Sequence, residues 1–207
     1  MAKSRSECSE VVSDKEKQVA VILDCEIERR EDISRYLRET GRLIFHLNSE
    51  PDELCEVVQK HTQVVLVADF SRPTSKGWHF ARLADKCPCL FPISVVGLTD
   101  RIKDLDHVFS VVEALPTNPH IKDLDFTVDN AALTAGSRHR QWHKAKQSIR
   151  VVRQAHDQNR RGQGRPPVSD HAWSRACLIL CRASLEHGDD WQTVALDLLI
   201  DTFQDEM

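Results

Sequence analysis

Two aspartates close apolar runs in the first third of the chain. Asp24 ends "QVAVILD" (18–24) and Asp69 ends "QVVLVAD" (63–69). A carboxylate at the end of a buried run marks a candidate functional position, because an ion there must be paired or used. The second chemical signal is positive charge. Arg138, Arg140, Lys144, Lys146, Arg150, Arg153, Arg160, Arg161 and Arg165 stand against one acid, Asp157, a net +8. Lys/Arg clustered along one helix and its linker form an electrostatic footprint for phosphates, in DNA or RNA. From Glu186 onward seven acids follow with no Lys/Arg, so the basic segment precedes a segment of −7. The third signal is sulfur: Cys8, Cys25, Cys55, Cys87, Cys89, Cys177 and Cys181. An odd count points to reduced thiols. "CPC" at 87–89 and the Cys177/Cys181 pair invite a metal reading. Zinc sites, however, usually space paired cysteines by about two to four residues, and "ACLILC" is an apolar setting in which cysteine acts as a small hydrophobe. Structural packing is the expectation for all seven.

The elements that must position these groups alternate. "QVAVILD" (18–24), "RLIFHL" (42–47), "QVVLVAD" (63–69) and "FPISVVGL" (91–98) read as strands, and "EALP" holds a short fifth. Between them, Ile33, Tyr36 and Leu37 share a helical face that stops at Gly41. Leu54, Val57 and Val58 form a stripe behind a Ser49 cap, and Trp78, Phe80 and Leu83 mark a third helix. "RIKDLDHVFSVVEAL" (101–115) reads as a fourth helix, and "HIKDLDFTVDNAAL" as the last. Apolar runs separated by amphipathic helices imply parallel strands with crossover helices, a doubly wound α/β sheet. Functional side chains in such sheets sit at the carboxyl ends of strands, where Asp24 and Asp69 fall.

The chain has 207 residues, 41% hydrophobic and 29% charged, with net charge −4. No apolar run approaches the ~20 residues of a membrane helix, and residues 1–17 are expected to be a disordered lead-in without a signal peptide. The expected location is cytoplasmic, with no membrane partner. No glycine-rich phosphate loop, Gly-x-Ser-x-Gly elbow or His-Glu-x-x-His motif is present, so the chain is expected not to be an enzyme.

Over about residues 18–133 the order of elements and "ADFSRP", an aspartate, three residues and then a proline, resemble the receiver domain of bacterial response regulators. The resemblance implies a flavodoxin-like, five-stranded parallel sheet with Asp69 as phosphoacceptor. It also implies Mg²⁺ held by Asp24 and Asp69, and a sensor kinase or other signalling protein as partner. Receivers add a second acid on the first strand, a hydroxyl after the fourth and a lysine after the fifth. Here Cys25 follows Asp24, with Glu26 a substitute of altered geometry. The hydroxyl position falls nearest Gly97, although Thr99 could serve if the strand slips, and "TNP" puts Asn118 where the lysine belongs. An amide brings no charge. The expectation is therefore an atypical, degenerate receiver; a modified but phosphorylatable switch is the competing reading.

A receiver-like domain over 18–135 is followed by an all-α C-terminal segment: a basic coiled-coil helix (136–160), a linker (161–169) and a helical domain (170–207). Trp142, Ala145, Ile149, Val152 and His156 make a two-heptad seam that implies a homodimer. "GQGRPP" resembles the Gly-Arg-Pro core of minor-groove arms. "RAS" (182–184) and "VA" (194–195) resemble the later part of the ANTAR domain, an RNA-binding antitermination module. The leading expectation is a regulator of gene expression with a nucleic-acid-binding output. The alternative is a non-enzymatic protein-interaction adaptor built on a pseudo-receiver.

Overall fold

The computed structural model describes residues 18–47, 51–105, 108 and 110–187; the Ser49 cap, the lead-in and the final helix expected beyond 188 lie outside the described residues. Five strands form one sheet in the order β2-β1-β3-β4-β5. They are β1 (Ala20–Asp24), β2 (Leu43–Leu47), β3 (Val64–Asp69), β4 (Ser94–Leu98) and β5 (Val111–Leu115). Every pairing is parallel. Residues of β1 and β4 are all buried, as β-branched runs covered on both faces must be.

Alternation along the strands splits the core in two. On one face Ala20, Ile22, Val64 and Leu66 pack with Leu54 and Val58 of α2 (Pro51–Lys60) and Phe80 and Ala84 of α3 (Lys76–Lys86). On the other, Val21, Leu23, Val65 and Val67 meet Ile33 and Leu37 of α1 (Arg30–Glu39) and Leu124 and Val128 of α4 (Ile121–Gly162). The result is the expected doubly wound, flavodoxin-like sheet, identified by its strand order. Gly41, at φ 90°, ends α1 in the left-handed region that glycine adopts without a Cβ penalty.

Two elements differ from expectation. The helix expected over 101–115 is a short 3-10 turn (Ile102–Leu105), and β5 takes Val111–Leu115 instead. Pairing with β4 (Val96↔Glu113, Gly97↔Ala114) outcompetes the helical periodicity of that stretch. The helix expected over "HIKDLDFTVDNAAL", α4, runs unbroken for 42 residues, with Gly136 inside it. Its first half packs on the sheet. Its second half packs against α5 (Asp170–His187) through Trp142, Ala145 and Ile149, which meet Val168, Ala172, Trp173 and Ala176. The seam read as a dimeric coiled coil is thus covered within one chain, except Val152, which is 49% exposed.

Candidate functional site

β1 and β3 are neighbours, with Leu23 opposite Val67, so Asp24 and Asp69 leave the same edge of the sheet side by side. The strand order reverses here, since β1 connects outward to β2 while β3 lies on its other flank. Such switch points open a crevice above the strand ends.

Asp69 is half-buried, and the chain after β3 folds back over it. Ser71 N–H donates to its Oδ1 at 2.7 Å, and the Ser75 hydroxyl donates to its carbonyl at 2.5 Å. α3 begins directly against this carbonyl; a Cβ on Gly77 would lie 2.3 Å from it. Asp24 is completely buried. Glu26 N–H donates to its Oδ1 at 3.1 Å, while Oδ2 has no hydrogen-bond partner among the described residues. Burial raises the Asp24 pKa, and the neighbouring Glu26 charge adds to the rise against hydrogen bonds that favour the anion.

The loop after β1 is tied to the start of α3. Lys76 N–H donates to Glu26 Oε2 at 3.0 Å, and the Lys76 ammonium lies 3.5 Å from Cys25 Sγ. Lys76 was not apparent from sequence, though one signal was present: a lysine in the first turn of a helix opposes the dipole and calls for an anionic partner. A second cation enters from Arg29, whose backbone is left-handed at φ 61° and whose guanidinium donates to Asn118 Oδ1 at 3.2 Å. Gly97 lies inside β4 and faces the core, where a Cβ would meet Leu105 Cδ1 at 2.7 Å and Phe70 Cδ2 at 3.3 Å. It cannot host a pocket hydroxyl. Thr99 instead stands one residue beyond β4, buried, with its Oγ1 accepting from Arg101 N–H at 3.0 Å.

The basic set needs one correction. Arg138 is 5% exposed, and its guanidinium donates to Ile93 O at 3.0 Å and Ser110 O at 3.5 Å. Burial lowers its pKa to about 10. It fastens α4 to the sheet and is not available to a phosphate. Arg153 pairs with Asp157 at 3.6 Å and with Asp170, and Arg160 donates to Pro166 O at 2.6 Å. Arg140, Lys144, Lys146, Arg150, Arg161 and Arg165 are exposed. At 100° per residue, Arg140, Lys144, Arg150 and Arg161 lie away from the stripe that packs on α5, whereas Lys146 lies at its edge with its ammonium 4.8 Å over the Trp142 ring.

No protein-family model matches the chain, and no curated protein matches it. Two solved structures are similar to it at low identity. One is the response regulator TrrA from Thermotoga maritima in complex with Mg(2+)-BeF, at 15% identity and TM-score 0.42, covering 55% of this chain and 98% of that one. Another is the response regulator StyR, at 12% identity and TM-score 0.42, covering 90% of this chain and 92% of that one. Among the described residues no helix is long and apolar enough to cross a membrane.

Asp24 yields a pH prediction. Its folded pKa is raised, so the folded state holds the proton more tightly than the unfolded chain does. The stability this gives is fully present below the unfolded value and is lost as pH rises through the folded one. Asp24→Asn should therefore raise the urea midpoint at neutral pH and leave it unchanged at about pH 3, measured across that range. A benefit that stays constant with pH would show that ionisation of Asp24 is not the cause.

Proposed function

We propose that the chain is a non-enzymatic, receiver-like regulatory module that works without a phosphoryl switch and presents a basic helical face to nucleic acid. The observation that carries this reading is the two-sidedness of α4: one stripe is buried against α5, and the exposed side holds Arg140, Lys144, Arg150 and Arg161. Cations spread along about 30 Å of helix match the spacing of backbone phosphates better than a single acidic side chain.

The pocket supports the absence of a switch. Mg²⁺ takes hard oxygen ligands in near-octahedral geometry. The residues present do not fit it. Asp24 is wholly buried, sulfur replaces the second acid at Cys25, and the Glu26 carboxylate accepts from the Lys76 amide. Lys76 already brings positive charge to this loop. The acidic edge then acts as a fixed structural junction between β1, β3 and α3.

A second reading, the protein-interaction adaptor, is favoured by one feature: Phe126 and Leu133, one heptad apart on α4, are each 68% exposed. Binding to fluorescent DNA and RNA oligonucleotides, followed by anisotropy at several salt concentrations, separates the two. Affinity should fall linearly in log–log form with salt. Removing Arg140, Lys144 and Arg150 together should lower the slope by about three, one per lost phosphate contact. Mg²⁺ with beryllofluoride should change nothing. An absence of binding even at low salt would overturn the nucleic-acid output. A beryllofluoride response that Asp69→Ala abolishes would overturn the switch-free reading alone.

A further inference from the structure

Three thiols from two distant parts of the chain meet at the margin of the α2/α3 core. Cys55 lies on α2, Cys87 is the C-terminal cap of α3, and Cys89 follows two residues later. Cys55 Sγ and Cys89 Sγ are 2.6 Å apart, and Cys87 Sγ and Cys89 Sγ 3.0 Å apart. All three sulfurs lie within 4.8 Å of one another, and all three residues are half-buried. Cys177 and Cys181 make a useful contrast. They are buried a turn apart on one helix, inside an apolar cluster, and no third sulfur joins them among the described residues. That pair is what cysteine does as a small hydrophobe. A three-sulfur convergence is not, because neutral thiols are poor donors and poor acceptors and gain little from gathering together.

The geometry points to Cys55, Cys87 and Cys89 as the three protein ligands of a thiophilic metal ion of the Zn²⁺ or Cu⁺ class. An all-sulfur donor set selects soft and borderline ions and rejects Mg²⁺ and Ca²⁺. Three ligands leave Zn²⁺ one open position, or satisfy Cu⁺ with sulfur alone. The local backbone is suited to the role. Pro88 restricts the turn between two of the ligands, and Leu90 N–H closes it on Cys87 O at 3.0 Å. Metal–sulfur bonds of about 2.3 Å would spread the sulfurs to nearly 4 Å apart, a shift that side-chain rotation at half-buried positions allows. Each thiol that is still protonated gives its proton to solvent as its bond to the metal forms, and no oxidation state changes.

The ion would join α2 to the α3–β4 turn. It would also face a groove of ≈ 550 Å³ in which Cys87, Pro88 and Cys89 stand opposite Trp142, Ile149 and Trp173.

The test uses full-length reduced protein. Co²⁺ should bind at one equivalent and give thiolate-to-metal charge-transfer absorption of three-sulfur intensity. Zn²⁺ should displace it, and Cu⁺ supplied from a chelator buffer forms the second arm that decides between the two ions. Zn²⁺ or Cu⁺ should protect Cys55, Cys87 and Cys89 from alkylation in the wild type while leaving Cys25 reactive, a readout that needs no variant. Cys55→Ser, Cys87→Ser and Cys89→Ser should each weaken binding by at least about a hundredfold, more than loss of an outer-shell partner does. Cys25→Ser should not. Charge-transfer absorption that survives in the triple serine variant overturns the site. So does a wild-type protein that binds no metal and protects no thiol, including one that instead forms a Cys55–Cys89 disulfide.

Discussion

Gly77→Ala will destabilise the protein by about 3 kcal/mol, the upper range for forcing an atom into a packed site, and lower Tm by about 10 °C. On helix propensity alone the same change would gain up to about 1 kcal/mol, so the sign is a direct test of the geometry. The added Cβ would lie 2.3 Å from the Asp69 carbonyl oxygen and 3.1 Å from Ala68 Cβ. The carbonyl is backbone inside a sheet and cannot yield, so the start of α3 must move away. That movement breaks the Ser75 hydrogen bond to the same carbonyl and pulls the Lys76 amide off Glu26. Thermal unfolding measures the loss, and amide exchange at Ser75 and Lys76 locates it. A variant as stable as the wild type would mean that α3 does not start where it is placed.

Trp142→Ala will cost about 3–5 kcal/mol, as expected for removing a buried large aromatic side chain. Trp142 is 7% exposed and lies among Ala145, Ile149, Ala172, Trp173 and Ala176. It also carries the Lys146 ammonium 4.8 Å over its ring. The loss should fall on one contact, between α4 and α5. Amides of 170–183 should then lose hydrogen-exchange protection while β1 and β3 keep theirs. Because Arg140, Lys144 and Arg150 lie on another side of α4, the affinity for nucleic acid proposed above should change far less than on removing those three. Equal loss of protection in α5 and in the sheet would show the hairpin and sheet to be one cooperative unit.

The strands of the fold were legible because parallel strands covered on both faces need unbroken β-branched runs. "QVAVILD" and "QVVLVAD" lie within two residues of β1 and β3 at their starts and end on the same aspartates. The stretch 101–115 was misread for an equally physical reason. Ile102, Leu105 and Val108 recur at helical spacing, yet Val111–Leu115 gains more by completing the sheet beside β4. Gly136 was read as a boundary, but one glycine costs a helix only about 1 kcal/mol, and the packing on both sides outweighs it. At the acidic edge, Asp24 and Asp69 could be found because each ends its own strand. Lys76 and Arg29 could not, since each reaches the pocket across a loop from another element. The same limit hid the thiol cluster: "CPC" shows two sulfurs, and the third is 34 residues from Cys89, brought near only when α2 docks.

The unbroken length of α4 has a mechanical consequence. From Arg138 to Gly162 the helix continues for about 36 Å, at 1.5 Å per residue, as a rod with no joint. Anything that tilts its base against β4 and β5 by about 5° swings the far end by about 3 Å, roughly the spacing of one nucleotide step along a duplex. Arg138, clamped to Ile93 and Ser110, is the pin at the fulcrum of that lever.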